Sequence, residues 1–284
     1  MVASESTAGS GESPGETLTV TDADGVTIFV SRWAVATPHS VVHIVHGLGE
    51  HAARYGRLAT ALNVAGYSVY ADDHRGHGRT GEAQGGQGPL GPRGMAGTLH
   101  AIHSVSGLAQ AEHPGLPLVL LGHSWGSLLA QKFALQWGSE LHALVLTGTT
   151  LMVPPFPEMA DFNAGFEPSV TPYDWLSRDA AEVAKYMADP WCGFSPDFPA
   201  EEMSMLAGPP TDAIPSALPI LIMNGSVDPV GGEAGGAALA AAYRNAGVDD
   251  VRFCCYPDAR HEVFNETNRD EVTADLLAWL AAHR

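Results

Sequence analysis

Ser124, Asp228 and His261 are the residues of this chain whose types and placement suit nucleophilic catalysis. Ser124 stands in Gly122-His123-Ser124-Trp125-Gly126, behind the apolar run Leu116–Leu121 and ahead of Ser127–Leu135, which carries helix formers at helical spacing. A serine between a buried strand and a helix occupies a sharp turn that exposes its hydroxyl, and glycines two positions either side relieve Cβ crowding. The hydroxyl attacks a carbonyl only when a base takes its proton, and the base needs an acid to fix its tautomer. The pattern alone is weak in a chain with 32 glycines among 284 residues. Gly11-Glu12-Ser13-Pro14-Gly15 is a second copy with neither flanking strand nor helix, and reads as inert. The chemistry indicated at Ser124 is hydrolysis of an ester or amide.

Asp228 follows the apolar run Pro219–Asn224, and His261 lies a few residues beyond Val251–Tyr256. If both runs are parallel strands, their loops open at the same sheet edge as Ser124. Asp228 as a plain turn residue before Pro229 is the bland alternative. Asp249 and Asp250 precede a strand and belong at the wrong end, and Asp258 is only three residues from His261. The other histidines read as surface or turn residues, and His123 is expected to point away from the site and pack the elbow. A tetrahedral intermediate also needs amide donors for its oxyanion. His46-Gly47-Leu48-Gly49-Glu50 follows the run Val41–Val45, so the N–H groups of Leu48 and Trp125 are the expected pair. His74 and His77 with Asp73 are metal-ligand types on a glycine-rich turn, but the spacing is thin, and the cysteines have no metal spacing. A loop knitted by Asp and Arg hydrogen bonds beneath the oxyanion loop is the expectation there. No phosphate loop or dinucleotide fingerprint occurs, so neither metal nor cofactor is expected.

The elements that must position these groups alternate. Leu18–Thr21 and Val26–Arg32 read as a hairpin, Val41–His46 and Tyr67–Ala71 as buried strands, and Tyr55–Ala65 as the helix between them. A helix over 95–112, a strand over 117–122, the helix after Ser124 and a strand over 143–148 follow. This order calls for a mostly parallel sheet with helices on both faces. Residues 151–215 break the pattern with eleven prolines and scattered aromatics, and only short helical stretches such as Asp179–Met187. Alternation resumes with Pro219–Asn224, a helix near 233–246, Val251–Tyr256 and a helix over 269–282. The expected organisation is a disordered tail over 1–15, a core from 16–150 and 216–284, and a cap insertion over 151–215. Its aromatics Phe156, Phe162, Phe166, Trp191 and Phe194, with Trp125, are candidate pocket residues.

A net charge of -18 excludes a nucleic-acid partner and an anionic membrane patch. No membrane span or basic leader is apparent, and three cysteines do not make a disulfide scaffold, so a cytoplasmic protein is expected. Oligomeric state is unreadable.

The combination of His46-Gly47-Leu48-Gly49-Glu50-His51 with Arg54-Tyr55, Asp73-His74-Arg75-Gly76-His77-Gly78, the elbow, Gly225-Ser226-Val227-Asp228-Pro229-Val230 and His261-Glu262-Val263-Phe264-Asn265-Glu266 resembles the monoacylglycerol lipase and lysophospholipase group of serine α/β-hydrolases, which has bacterial members. The likeness runs from about residue 25 to the C-terminus and is vague across 151–215. It implies an α/β-hydrolase fold: an eight-stranded, mostly parallel sheet under a helical cap. It also implies Ser124 as nucleophile, His261 as base, Asp228 as its orienter, and the Leu48 and Trp125 amides as the oxyanion hole. The group's usual elbow reads Gly-His-Ser-Met-Gly-Gly; Trp125 and Ser127 depart from it and change the wall beside the nucleophile. The implied substrate is a small-molecule ester with an apolar acyl group, reached through transient lipid contact of the cap. The alternatives are a short-chain carboxylesterase, a small-substrate amidase, an acyltransferase or a catalytically silent binding protein of this fold.

Overall fold

The computed structural model describes residues 15–153 and 162–284. The tail from residue 1 to 14 and Phe156 lie outside the described residues. Strands β1 (Glu16–Thr21), β2 (Thr27–Trp33), β3 (Ser40–Val45), β4 (Tyr67–Asp72), β5 (Leu118–His123), β6 (Ala143–Thr147), β7 (Ile220–Gly225) and β8 (Val251–Tyr256) form one sheet in the order β1-β2-β4-β3-β5-β6-β7-β8. The β1–β2 and β2–β4 pairs are antiparallel and the remaining pairs parallel. Eight helices accompany it among the described residues: α1 (Gly56–Val64), α2 (Gly78–Gln84), α3 (Gly94–Glu112), α4 (Trp125–Trp137), α5 (Ala180–Ala188), α6 (Ala200–Ser204), α7 (Gly232–Asn245) and α8 (Arg269–Ala282).

Strand alternation sorts the apolar residues into two cores, one on each face. Leu118, Leu120, Leu144, Leu146, Ile220 and Ile222 pack with α3, α4 and α7. Their neighbours Val119, Leu121, Val145, Leu221 and Met223 pack with α1 and α8. The continuous apolar runs of the sequence are therefore strands buried on both sides. Helix α2 was not expected; it begins inside the glycine-rich turn, where Gly78 takes a positive φ of 51° and a Cβ would lie 2.5 Å from the Asp73 carboxyl carbon.

The strand order reverses between β3 and β5, and an open sheet forms its crevice where connections leave in opposite directions. Beyond that edge lie the loops carrying Leu48, Ser124, Asp228 and His261. The segment inserted between β6 and β7 fastens onto the same loops: the Tyr186 hydroxyl and the Gly193 amide donate to the Gly49 carbonyl at 2.8 and 3.0 Å. The amides of His261 and Glu262 donate to the carbonyls of Trp175 and Leu176 at 3.3 and 2.8 Å. Arg178 pairs with Glu266 at 2.8 Å. No helix among the described residues is long and apolar enough to cross a membrane.

Candidate active site

Ser124 sits at the junction of β5 and α4 with φ 54° and ψ -124°, a conformation that costs a non-glycine residue about 1–3 kcal/mol. Its amide is held by the Thr147 carbonyl at 2.9 Å, and its carbonyl accepts from the Ser127 amide at 2.9 Å. The flanking glycines do not supply dihedral freedom: neither has a positive φ. They act by being bare, since a Cβ on Gly122 would meet the Gly126 carbonyl oxygen at 2.6 Å and one on Gly126 would overlap the Val45 and His46 carbonyls. The serine itself bears the strain, and β3 and α4 close around it.

His261 and Asp228 come together from β8 and β7 across 33 residues of sequence. The imidazole Nδ1–H donates to Asp228 Oδ1 at 2.9 Å, with the two residues 1 % and 4 % exposed. Asp228 also begins the turn before Pro229, accepting the Val230 amide at 2.9 Å, so the bland role and the partnership with His261 coexist on one oxygen. Burial lowers the His261 pKa, but the Asp228 charge and hydrogen bond outweigh it and the net shift is upward. Asp258 is exposed with φ 59°, and Asp250 pairs with His283 at the other end of the molecule.

Gly148, after β6, was missed in the sequence. It has φ 53°, and a Cβ there would lie 2.9 Å from both His261 Cε1 and His123 Cε1. Its only signal is a glycine directly after a buried strand. His123 corrects the expectation that it points away: its ring lies 4.8 Å from that of His261, and Nδ1 meets Thr147 Oγ1 at 3.0 Å. Burial and the neighbouring His261 press its pKa down to about 4, so it is neutral at pH 7.

The loop after β3 approaches Ser124 closely, since a Cβ on Gly47 would lie 3.1 Å from Ser124 Cβ. Among the described residues the Leu48 and Trp125 amides have no hydrogen-bond acceptor. Glu50 anchors this loop by accepting from the Gly47 amide at 2.6 Å and the Tyr55 hydroxyl at 2.8 Å. Arg54, with only a tenth of its side chain exposed, bridges Glu50 at 2.6 Å and Glu262 at 2.7 Å. One buried guanidinium thus ties the loop beside Ser124 to the residue after His261, a link that only the fold assembles.

The aromatics disperse. Trp125 is 3 % exposed, stacked on His77 at 5.1 Å and Phe198 at 6.4 Å between ring centroids. Phe194 meets His77 edge-on at 4.9 Å. Phe162 packs on Trp175 at 4.7 Å, and Trp175, another aromatic of the inserted segment, lies 4.9 Å from His261. Phe166 lies under the Arg260 guanidinium, and Trp191 packs against His51 and Arg79.

For metals, Asp73 accepts the Ala52 and Arg79 amides, His74 Nδ1 bonds Asp72, and His77 Nδ1 donates to the Arg75 carbonyl, so that turn is knitted as expected. Arg75 joins it to the β1–β2 turn through Asp22 and Asp24. His51, Asp189 and Cys192 form a separate group whose donor atoms lie within 4.8 Å of one another. There His51 already bonds Asp189 at 2.8 Å, and burial raises the Cys192 thiol well above its ordinary value, which keeps it protonated.

The sequence profile described as serine aminopeptidase, S33, matches residues 36–268. A monoacylglycerol lipase of Mycolicibacterium smegmatis is 32 % identical over 273 residues, covering 91 % of this chain and 94 % of that protein. A thermostable carboxyl esterase from Bacillus coagulans, solved in complex with glycerol, superposes with a TM-score of 0.86 at 28 % identity, covering 94 % of this chain and 98 % of that one. A Paleococcus ferrophilus monoacylglycerol lipase superposes with a TM-score of 0.70 at 26 % identity, covering 90 % and 99 %. With its fold, its elbow serine and these likenesses, the chain belongs to the serine aminopeptidase S33 family of α/β-hydrolases, as a serine hydrolase of the monoacylglycerol lipase type.

Proposed function

We propose that this enzyme cleaves carboxylic esters through a Ser124 acyl-enzyme, with a monoacylglycerol or a related monoester of a small polyol as substrate. The observation that carries this reading is the buried His261–Asp228 hydrogen bond of 2.9 Å at the sheet edge where the strained Ser124 stands. The Asp228 bond occupies Nδ1–H, so His261 Nε2 is the unprotonated atom that takes the Ser124 proton. As Oγ bonds to the ester carbon, the carbonyl oxygen becomes an oxyanion held by the Leu48 and Trp125 amides. The C–O bond to the alcohol then breaks, and His261 returns the proton to the departing alkoxide. A water deprotonated by His261 attacks the acyl-enzyme, and collapse releases the carboxylic acid and restores Ser124.

The carboxyl esterase with glycerol and the two monoacylglycerol lipases support a polyol leaving group. The family's description names an aminopeptidase, which favours amide cleavage as the second reading. We place the protein in a reducing compartment such as the cytoplasm, supported by its three free thiols, Cys192, Cys254 and Cys255. The test is a panel of monoacylglycerols, p-nitrophenyl esters and amino-acid p-nitroanilides, with Ser124→Ala alongside. Monoacylglycerol turnover abolished by Ser124→Ala supports the proposal; anilide cleavage without ester turnover transfers the assignment to a peptidase. Full ester activity in Ser124→Ala overturns the mechanism.

A further inference from the structure

The loop after β3 presents the Leu48 amide only if the peptide unit joining Gly47 to Leu48 is turned the right way. That unit is planar and trans, so its carbonyl and its N–H point in opposite directions, and whatever grips the carbonyl aims the amide. The Gly47 carbonyl is gripped by His46 Nδ1 at 2.7 Å. His46 Nε2 in turn meets the His74 backbone N–H at 3.1 Å. A backbone N–H can only donate, so Nε2 is the bare nitrogen and Nδ1 carries the proton that binds Gly47. The ring is fully buried and stacks on His74 at 3.8 Å between centroids. His74 is itself fixed by Asp72 at 2.6 Å, which also accepts from His43 at 2.8 Å. Every degree of freedom of the His46 imidazole is therefore taken up: its plane by stacking, its tautomer by His74, its reach by Gly47.

We propose that His46 is a positioning residue for the oxyanion hole, holding the Gly47 carbonyl so that the Leu48 N–H faces the substrate carbonyl oxygen at Ser124. This rests on the acyl-enzyme reading above. His46 touches no reacting atom; it acts through one peptide plane. The preceding amide is fixed independently by Glu50 at 2.6 Å, so both peptide units flanking Gly47 are clamped from the protein side. Burial, with the nearby His74 and His77, holds the His46 pKa well below the usual imidazole value, so the ring keeps one proton at working pH.

Two substitutions separate this role from plain packing. His46→Asn retains an N–H near the Nδ1 position and can still hold the Gly47 carbonyl. His46→Gln places its amide near Nε2, where it answers the His74 N–H but leaves the Gly47 carbonyl free. Loss of one oxyanion donor lowers kcat by about 100- to 1000-fold, so misorienting one is expected to cost about 10- to 100-fold. The expected result is that His46→Gln loses this factor in kcat with KM nearly unchanged, that its affinity for a trifluoromethyl ketone falls by a similar factor, and that His46→Asn stays within about threefold of the parent. Equal losses in both variants, or no loss in His46→Gln, overturn the proposal. If neither variant folds, nitrogen NMR of the unaltered protein decides: a protonated Nδ1 and bare Nε2 on His46 support it, and the opposite tautomer overturns it. Ser124→Ala separates the two levels, because its full inactivation beside an unaffected His46→Gln removes this inference and leaves the acyl-enzyme reading intact.

Discussion

Replacing Arg54 by methionine removes the cation that Glu50 and Glu262 share while roughly preserving the volume of its stem. The two carboxylates are 4 % and 6 % exposed and lie 2.6 and 2.7 Å from the same guanidinium nitrogen. Removing one partner of a buried ion pair costs about 3–5 kcal/mol, because the remaining charge stays desolvated without compensation. For a chain of this length about 1 kcal/mol moves Tm by roughly 2 °C, so the expected fall is about 6–10 °C. The pH dependence provides the sharper check. Burial raises the pKa values of both glutamates, but the Arg54 charge more than offsets it, and both end below the ordinary carboxylate value. A carboxylate depressed in the folded protein stabilises it fully above the unfolded pKa of about 4.3 and loses that contribution as pH falls through the folded value. Arg54→Met removes the source of the depression, so its penalty is largest above about pH 5 and shrinks toward about pH 3. Thermal unfolding of both proteins across pH 3–8, with ester turnover at pH 8, measures this. A drop below about 2 °C at pH 8, or one equally large at pH 3, refutes the reasoning.

Gly148→Ala combines a left-handed backbone with a Cβ 2.9 Å from His261 Cε1, so it should lower kcat/KM by about 100-fold or more through displacement of the imidazole; unchanged turnover and phosphonate labelling count against a catalytic His261 in this pose. Because the His261 pKa is raised and the neutral ring is the active base, the acid limb of kcat/KM should have its midpoint above about 6.5. A midpoint below 6 contradicts the His261–Asp228 pairing. Trp125 stacks between His77 and Phe198, so Trp125→Met should raise the ratio of dodecanoyl to butyryl ester turnover severalfold, and an unchanged ratio removes the ring from the acyl wall.

What was legible in the sequence was local or periodic. The runs behind β5 and β7 are apolar because both sheet faces are covered there, and the turn after each is marked by glycine or a polar residue. Parallel strands bring such turns to one edge by topology alone, which is why Ser124, Asp228 and His261 are legible together in the sequence. Which atoms meet was decided by tertiary structure. The Arg54 bridge to Glu262 spans 208 residues, and Gly148 and His261 approach from the ends of β6 and β8, which β7 separates in the sheet. Trp175 reaches His261 from a segment with no period to read. His123 turns toward His261 because Thr147, one strand over, holds its ring. None of these leaves a mark in spacing or composition, since each depends on where two distant loops end after the sheet has formed. The sequence alone determined that a serine, a histidine and an acid share an edge; the folded chain decided which neighbours hold them there, because buried charges and bare glycines act over only a few ångströms.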